Sequence, residues 1–114
     1  MKMNKELKNR WVAALRGGDY EQGDGSLCAD NSGKLSYCCL GVLCDIVNPH
    51  NWKHHGCGNS SMYQFENDEE SWDMPTKSFL ESRGISWWEA ETLSNMNDGG
   101  ESFSVIATYI EERL

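Results

Sequence analysis

No stretch of this chain approaches the roughly 18 consecutive apolar residues that a membrane span needs. Its first residues, MKMNKELKNR, are too polar for a secretory signal. A cytosolic location without membrane attachment is expected. Basic charge is also scarce, with ten Lys and Arg against 18 Asp and Glu and a net charge of −8. The imbalance is uneven. Lys2, Lys5, Lys8, Arg10 and Arg16 fall in the first 16 residues, which leaves five basic groups against 17 acidic ones beyond them. Neutralised phosphates supply most nucleic-acid affinity, so this acidic body argues against direct DNA binding. There is no Cys-x2-Cys pair and no internal repeat. Five cysteines, three of them crowded into residues 38–44, read as reduced thiols rather than a disulfide framework.

What the chain does have is one long apolar run, Tyr37–Val47 (YCCLGVLCDIV). Read as a helix, it places Tyr37, Leu40, Cys44 and Val47 on one face and Cys39, Leu43 and Ile46 on the next. Most of its circumference is therefore apolar, as in a central rather than a surface helix. Ser36 is the expected N-cap, and Asn48-Pro49 stops the helix. The strip left over is Cys38, Gly41 and Asp45, where a bare glycine admits another backbone or a ligand.

Around this rod the spacing predicts a first helix from a cap at Asn4 to about Arg16, with Leu7, Trp11, Ala14 and Leu15 inward. Asn31-Ser32-Gly33 joins two short strands in a hairpin. Residues 49–73 read as irregular, with a short strand at Met62–Phe65 and a solvated acidic run of Glu66, Asp68, Glu69, Glu70 and Asp73. Pro75 opens a short helix to about Ser82. Ser86 and Glu89 form a capping box for a helix over 87–96. Asn97-Asp98-Gly99-Gly100 is a turn, and Ser102 caps a final helix lined by Phe103, Ile106, Ala107, Ile110 and Leu114. The expectation is one domain over residues 1–114, of a mostly helical α+β class. Its central buried helix (37–47) is packed by the N- and C-terminal helices beside a short β-hairpin.

Trp11 to Gly23 reads W-x3-L-R-x-G-x-Y-x-Q-G, and residues 37–45 read Y-C-C-L-G-V-L-C-D. Met96-Asn97-Asp98 is followed by Ser102-Phe103, Ile106-Ala107 and Ile110-Glu111. In these motifs the chain resembles a family of small proteins of tailed phages and prophages, over roughly residues 10–47 and 93–112. The resemblance implies a phage accessory protein acting in the host cytoplasm, with no assigned reaction. By analogy, small phage proteins of this type often antagonise host defence, some by sequestering nucleotide messengers.

Three readings of the chemistry follow. In the first, Arg16, Tyr20, Gln22, Tyr37, Cys38, Asp45, Asn97 and Asp98 converge on a small nucleotide-like ligand. Arginine would clamp phosphate, tyrosine stack on a base, and the amides read polar edges. The protein would then be a non-catalytic counter-defence protein that sequesters a nucleotide-derived signal. The plainer account is that Tyr20 and Gln22 brace their loop and Asn97-Asp98 only turns the chain. In the second, the acidic surface, or aromatics such as Trp72, Trp87 and Trp88, inhibits a host defence protein. In the third, Cys38 or Cys39 at the start of the central helix is a nucleophile, with His50, His54 or His55 as base. Buried, inert thiols are the favoured alternative to that. His50, His54, His55 and Cys57 could contribute to a metal site. Cys38 and Cys39 point about 100° apart on a helix and supply no matching pair, so neither metal nor cofactor is expected. The helix pair over 86–114 looks like a helix-turn-helix, but Arg113 is its one basic residue. Homo-oligomerisation is left open.

Overall fold

Asn4 begins the fold as expected: its side chain accepts the Leu7 N–H at 3.1 Å and starts α1, Lys5–Arg16. In the computed structural model, which describes residues 3–31, 33–50, 52–57, 60–65 and 74–114, eight further elements follow. They are β1 (Cys28–Asn31), β2 (Lys34–Tyr37), α2 (Cys39–Val47), β3 (Trp52–Cys57), β4 (Ser60–Phe65), α3 (Lys77–Glu81), α4 (Trp87–Asp98) and α5 (Phe103–Arg113). This is the mostly helical α+β fold that the pattern predicts. α1 lies along α5, and α2 packs between α1 and α4. The core holds Trp11, Leu27, Leu40, Val42, Leu43, Leu80, Ile85, Leu93, Ile106 and Ile110, all essentially inaccessible. Burying each aliphatic side chain contributes about 1.5–3 kcal/mol. No helix among the described residues is long and apolar enough to cross a membrane.

Four boundaries differ from expectation. The central helix begins at Cys39, not Tyr37, and Cys38 rather than Ser36 is its N-cap. The reason is non-local: the Tyr37 N–H donates to the Glu21 carbonyl and the Tyr37 carbonyl accepts from Gly23, each at 2.8 Å. That pairing holds Tyr37 extended as the last residue of β2, and the chain turns helical only after it. Residues 49–73 are not all irregular either. β3 and β4 extend the hairpin into an antiparallel sheet of order β2-β1-β4-β3, with Cys28 opposite Tyr63 and His54 opposite Tyr63 on its other side. The Pro75 helix starts at Lys77, where the Thr76 hydroxyl accepts the Phe79 N–H. Asn97 and Asp98 close the last turn of α4 instead of forming a separate turn.

The hairpin turn is built on Gly33, whose φ of 90° favours glycine, with its N–H donated to the Asp30 carboxylate at 2.9 Å. The capping box at Ser86 and Glu89 and the Ser102 cap form as predicted. The acidic run over 66–73, Trp72, and the side chains of His54, His55 and Cys57 lie outside the described residues. Trp87 is half-buried with the Lys77 ammonium over its ring, whereas Trp88 is 69% exposed.

Candidate functional site

The segment 17–25 leaves α1, crosses the end of β2 and reaches the α4–α5 junction. Two clusters of polar side chains pin it there. In the first, Asp45 on α2 accepts the Tyr20 hydroxyl at 2.6 Å through one oxygen and the Trp52 indole N–H at 3.0 Å through the other. The Tyr20 ring meets Tyr37 edge-on at 5.0 Å, and Tyr37 meets Trp52 at 6.2 Å. Burial first, then the Asp45 carboxylate, raises the Tyr20 hydroxyl above its ordinary range. Burial raises Tyr37 likewise. Both phenols stay protonated at neutral pH and are donors there, not bases.

In the second cluster the Gln22 amide nitrogen donates to Asn97 Oδ1 at 3.0 Å and to the Glu101 carbonyl at 2.7 Å, while its oxygen accepts the Phe103 N–H. Asn97, only 3% exposed, also accepts the Cys39 N–H at 3.2 Å and donates to the Gly23 carbonyl at 2.7 Å. The Asp98 carboxylate accepts the Gly25 N–H at 3.0 Å. Three parts of the chain far apart in sequence are thus fastened at one point: the loop, the start of α2 and the end of α4.

The three predicted segments therefore do converge, since Gln22 meets Asn97, Tyr20 meets Asp45, and Asn97 meets the start of α2. They satisfy one another, however, and the polar floor expected for a ligand is occupied. The strip of Cys38, Gly41 and Asp45 is not an open edge, because Cys38 and Gly41 are buried and the Leu27 backbone lies directly on Gly41. Arg16 points elsewhere, pairing with Glu111 at 3.0 Å and Thr108 at 3.1 Å on α5. Two of the first three N–H groups of α2 are also taken. Its Cys39 N–H goes to Asn97 and its Gly41 N–H to the Cys38 sulfur at 3.4 Å.

The cysteine-nucleophile reading meets the same closure. Cys28, Cys38, Cys39 and Cys44 are buried and form no disulfide. Burial pushes the Cys28 thiol up to about 12 and Cys39 well above its ordinary value. The Cys39 thiol donates to the Leu93 carbonyl at 3.5 Å. Iodoacetamide at pH 8 is expected to leave these four thiols unlabelled in the native protein and to modify all of them after unfolding, as read by peptide mass spectrometry. Rapid native labelling of Cys38 or Cys39 would restore the nucleophile.

What remains open to solvent flanks the loop. One groove of about 600 Å³ lies between Gly18, Asp19, Tyr20 and Glu21 on one wall and Lys34, Leu35 and Tyr37 on the other. A second, of about 310 Å³, runs past Glu21, Gly23 and Asp24 to Ala29 and Ser36. Asp19, Glu21 and Asp24 are exposed along these walls, with Lys34 as the cation facing them. Asp19, Glu21, Lys34 and Leu35 were not among the residues expected to act. The alternation in Lys34-Leu35-Ser36-Tyr37, which puts an apolar residue on a short strand, was the available signal for Leu35. No curated protein and no solved structure matches the chain. One family does match, over residues 3–114, and the chain belongs to it: the family is described as Domain of unknown function (DUF8296).

Proposed function

We propose that the protein is a non-catalytic binding protein that presents the acidic walls of the 18–24 loop to a basic surface of a host protein and inhibits it. The setting is the one the phage resemblance implies, a counter-defence role in the host cytoplasm. One observation carries this reading. Tyr20, Gln22, Asp45 and Asn97 are hydrogen-bonded to each other, so the outward chemistry of the grooves is left to Asp19, Glu21 and Asp24 against Lys34. Complementary charge of this kind steers a basic partner and weakens with salt. A basic host protein should be retained on the immobilised protein at low ionic strength and released at high. The triple variant Asp19→Lys, Glu21→Lys, Asp24→Lys should not retain it. Retention that survives both changes overturns the reading.

A second reading keeps the nucleotide-like ligand in the larger groove, favoured by the Tyr20–Tyr37 ring pair beside Lys34. Cyclic and ADP-ribose-type messengers at 100 times their Kd would then add about 2.7 kcal/mol of stability, read as a thermal shift. Two carboxylates, Asp19 and Glu21, against the one ammonium of Lys34 in that groove make an anionic ligand the poorer fit.

A further inference from the structure

β2 is the terminal strand of the sheet. In an antiparallel ladder, successive residues direct their N–H and C=O groups to alternate sides. Those of Tyr37 point away from β1, toward Glu21 and Gly23. Leu35, two residues earlier, turns its own N–H and C=O to the same outer side. The 21–23 segment forms a parallel bridge to the strand at Gln22–Tyr37. Before it, the chain swings away, and the larger groove opens between residues 18–21 and Lys34–Tyr37. The Leu35 side chain, 42% exposed, lines this groove with Tyr20 and Tyr37.

We propose that this edge takes an extended basic segment of a partner protein as an added strand, paired through Leu35 and flanked by Asp19, Glu21 and Asp24. The proposal rests on the acidic-face reading above and specifies where and how the partner lies. Backbone pairing supplies affinity in such strand addition, and alternate side chains supply selectivity. Here the floor is apolar, from Leu35, Tyr20 and Tyr37, and the walls are anionic. That combination suits a segment alternating apolar and basic residues. The strand edge is already shown to accept a neighbour, because residues 21–23 pair with its last residue. A second copy of the chain is the wrong occupant, since each copy carries a net charge of −8.

The test uses the whole protein and a synthetic pentapeptide, acetyl-Lys-Val-Lys-Val-Lys-amide. It is compared with two isomers, one N-methylated at both valines and one at the central lysine, and with the Glu-for-Lys analogue. An added strand pairs along one edge only. One N-methylated isomer should therefore lose affinity by about tenfold while the other keeps it, and the parent peptide should slow hydrogen exchange at the Leu35 amide. The Glu analogue should not bind. If both isomers bind like the parent and the Leu35 amide stays unprotected, strand pairing is overturned while the acidic face stands. If no peptide binds, strand pairing is overturned as well, and the acidic face is then judged by the salt-dependent retention and the triple variant.

Discussion

Replacing Gly41 with alanine is expected to destabilise the protein by about 3 kcal/mol, although the same change in a helix interior ordinarily stabilises by about 1 kcal/mol. Gly41 sits in α2 against Leu27, the residue before β1, and an added methyl group would drive into the Leu27 carbonyl oxygen and carbon. The obstacle is backbone, so no rotamer change relieves it. Leu27 cannot easily retreat, because its carbonyl also accepts the Cys38 N–H at 3.2 Å and its side chain is fully buried. Moving it would loosen the start of β1 and, through the β1–β2 pairing, the strand that forms one wall of the grooves. Overpacking against a fixed neighbour outweighs the helix-propensity gain here. Urea denaturation of the two proteins decides the sign. An alanine variant as stable as the parent would mean that the Leu27 backbone does not lie on α2.

Gly41 also shows what could and could not be read from the chain. A lone glycine in an apolar helix marks a close approach, and that inference holds. Whether a ligand or the protein's own backbone makes the approach depends on where Leu27 runs, which no local pattern states. The caps at Asn4, Ser86 and Ser102 were legible because each is a bond to a neighbour three residues on. The start of α2 was misplaced because Tyr37 is held extended by Glu21 and Gly23. β3 was missed since Trp52-Lys53-His54-His55 has no apolar alternation and its pairing with β4 is through backbone. The site was half legible for the same reason. Residue types and flanking glycines pointed to Tyr20, Gln22 and Asn97, but mutual satisfaction of side chains 75 positions apart is a tertiary fact.

Asn97→Ala should cost about 3–4 kcal/mol, a large part of the stability of a domain this size. Among the described residues Asn97 has the one buried polar side chain, and truncation strands several partners at once. The Cys39 N–H, inside a fully buried residue, loses its acceptor; the Gly23 carbonyl loses a donor; and the Gln22 amide loses one of its bonds. Each unsatisfied buried group costs about 1–3 kcal/mol, whereas a half-exposed one recovers part of that from water. Asn97→Asp separates this account from a simple packing loss. It keeps the shape and the acceptor for Cys39, but sets a carboxylate against the Gly23 carbonyl and near the Asp98 carboxylate, which lies 3.5 Å from the present amide nitrogen. Burial and like charge raise the new group's folded pKa above its unfolded value of about 4. Relative to the parent, the variant should therefore be least destabilised near pH 4, and the deficit should grow as pH rises through the folded pKa. Urea midpoints of parent and variants across that range test it. An alanine variant losing under about 1 kcal/mol, or an aspartate variant whose deficit ignores pH, would show that Asn97 does not fasten the loop to α2. Because this fastening also sets the path of residues 21–24, the same variants should weaken whatever the acidic walls bind, even at temperatures where the fold survives.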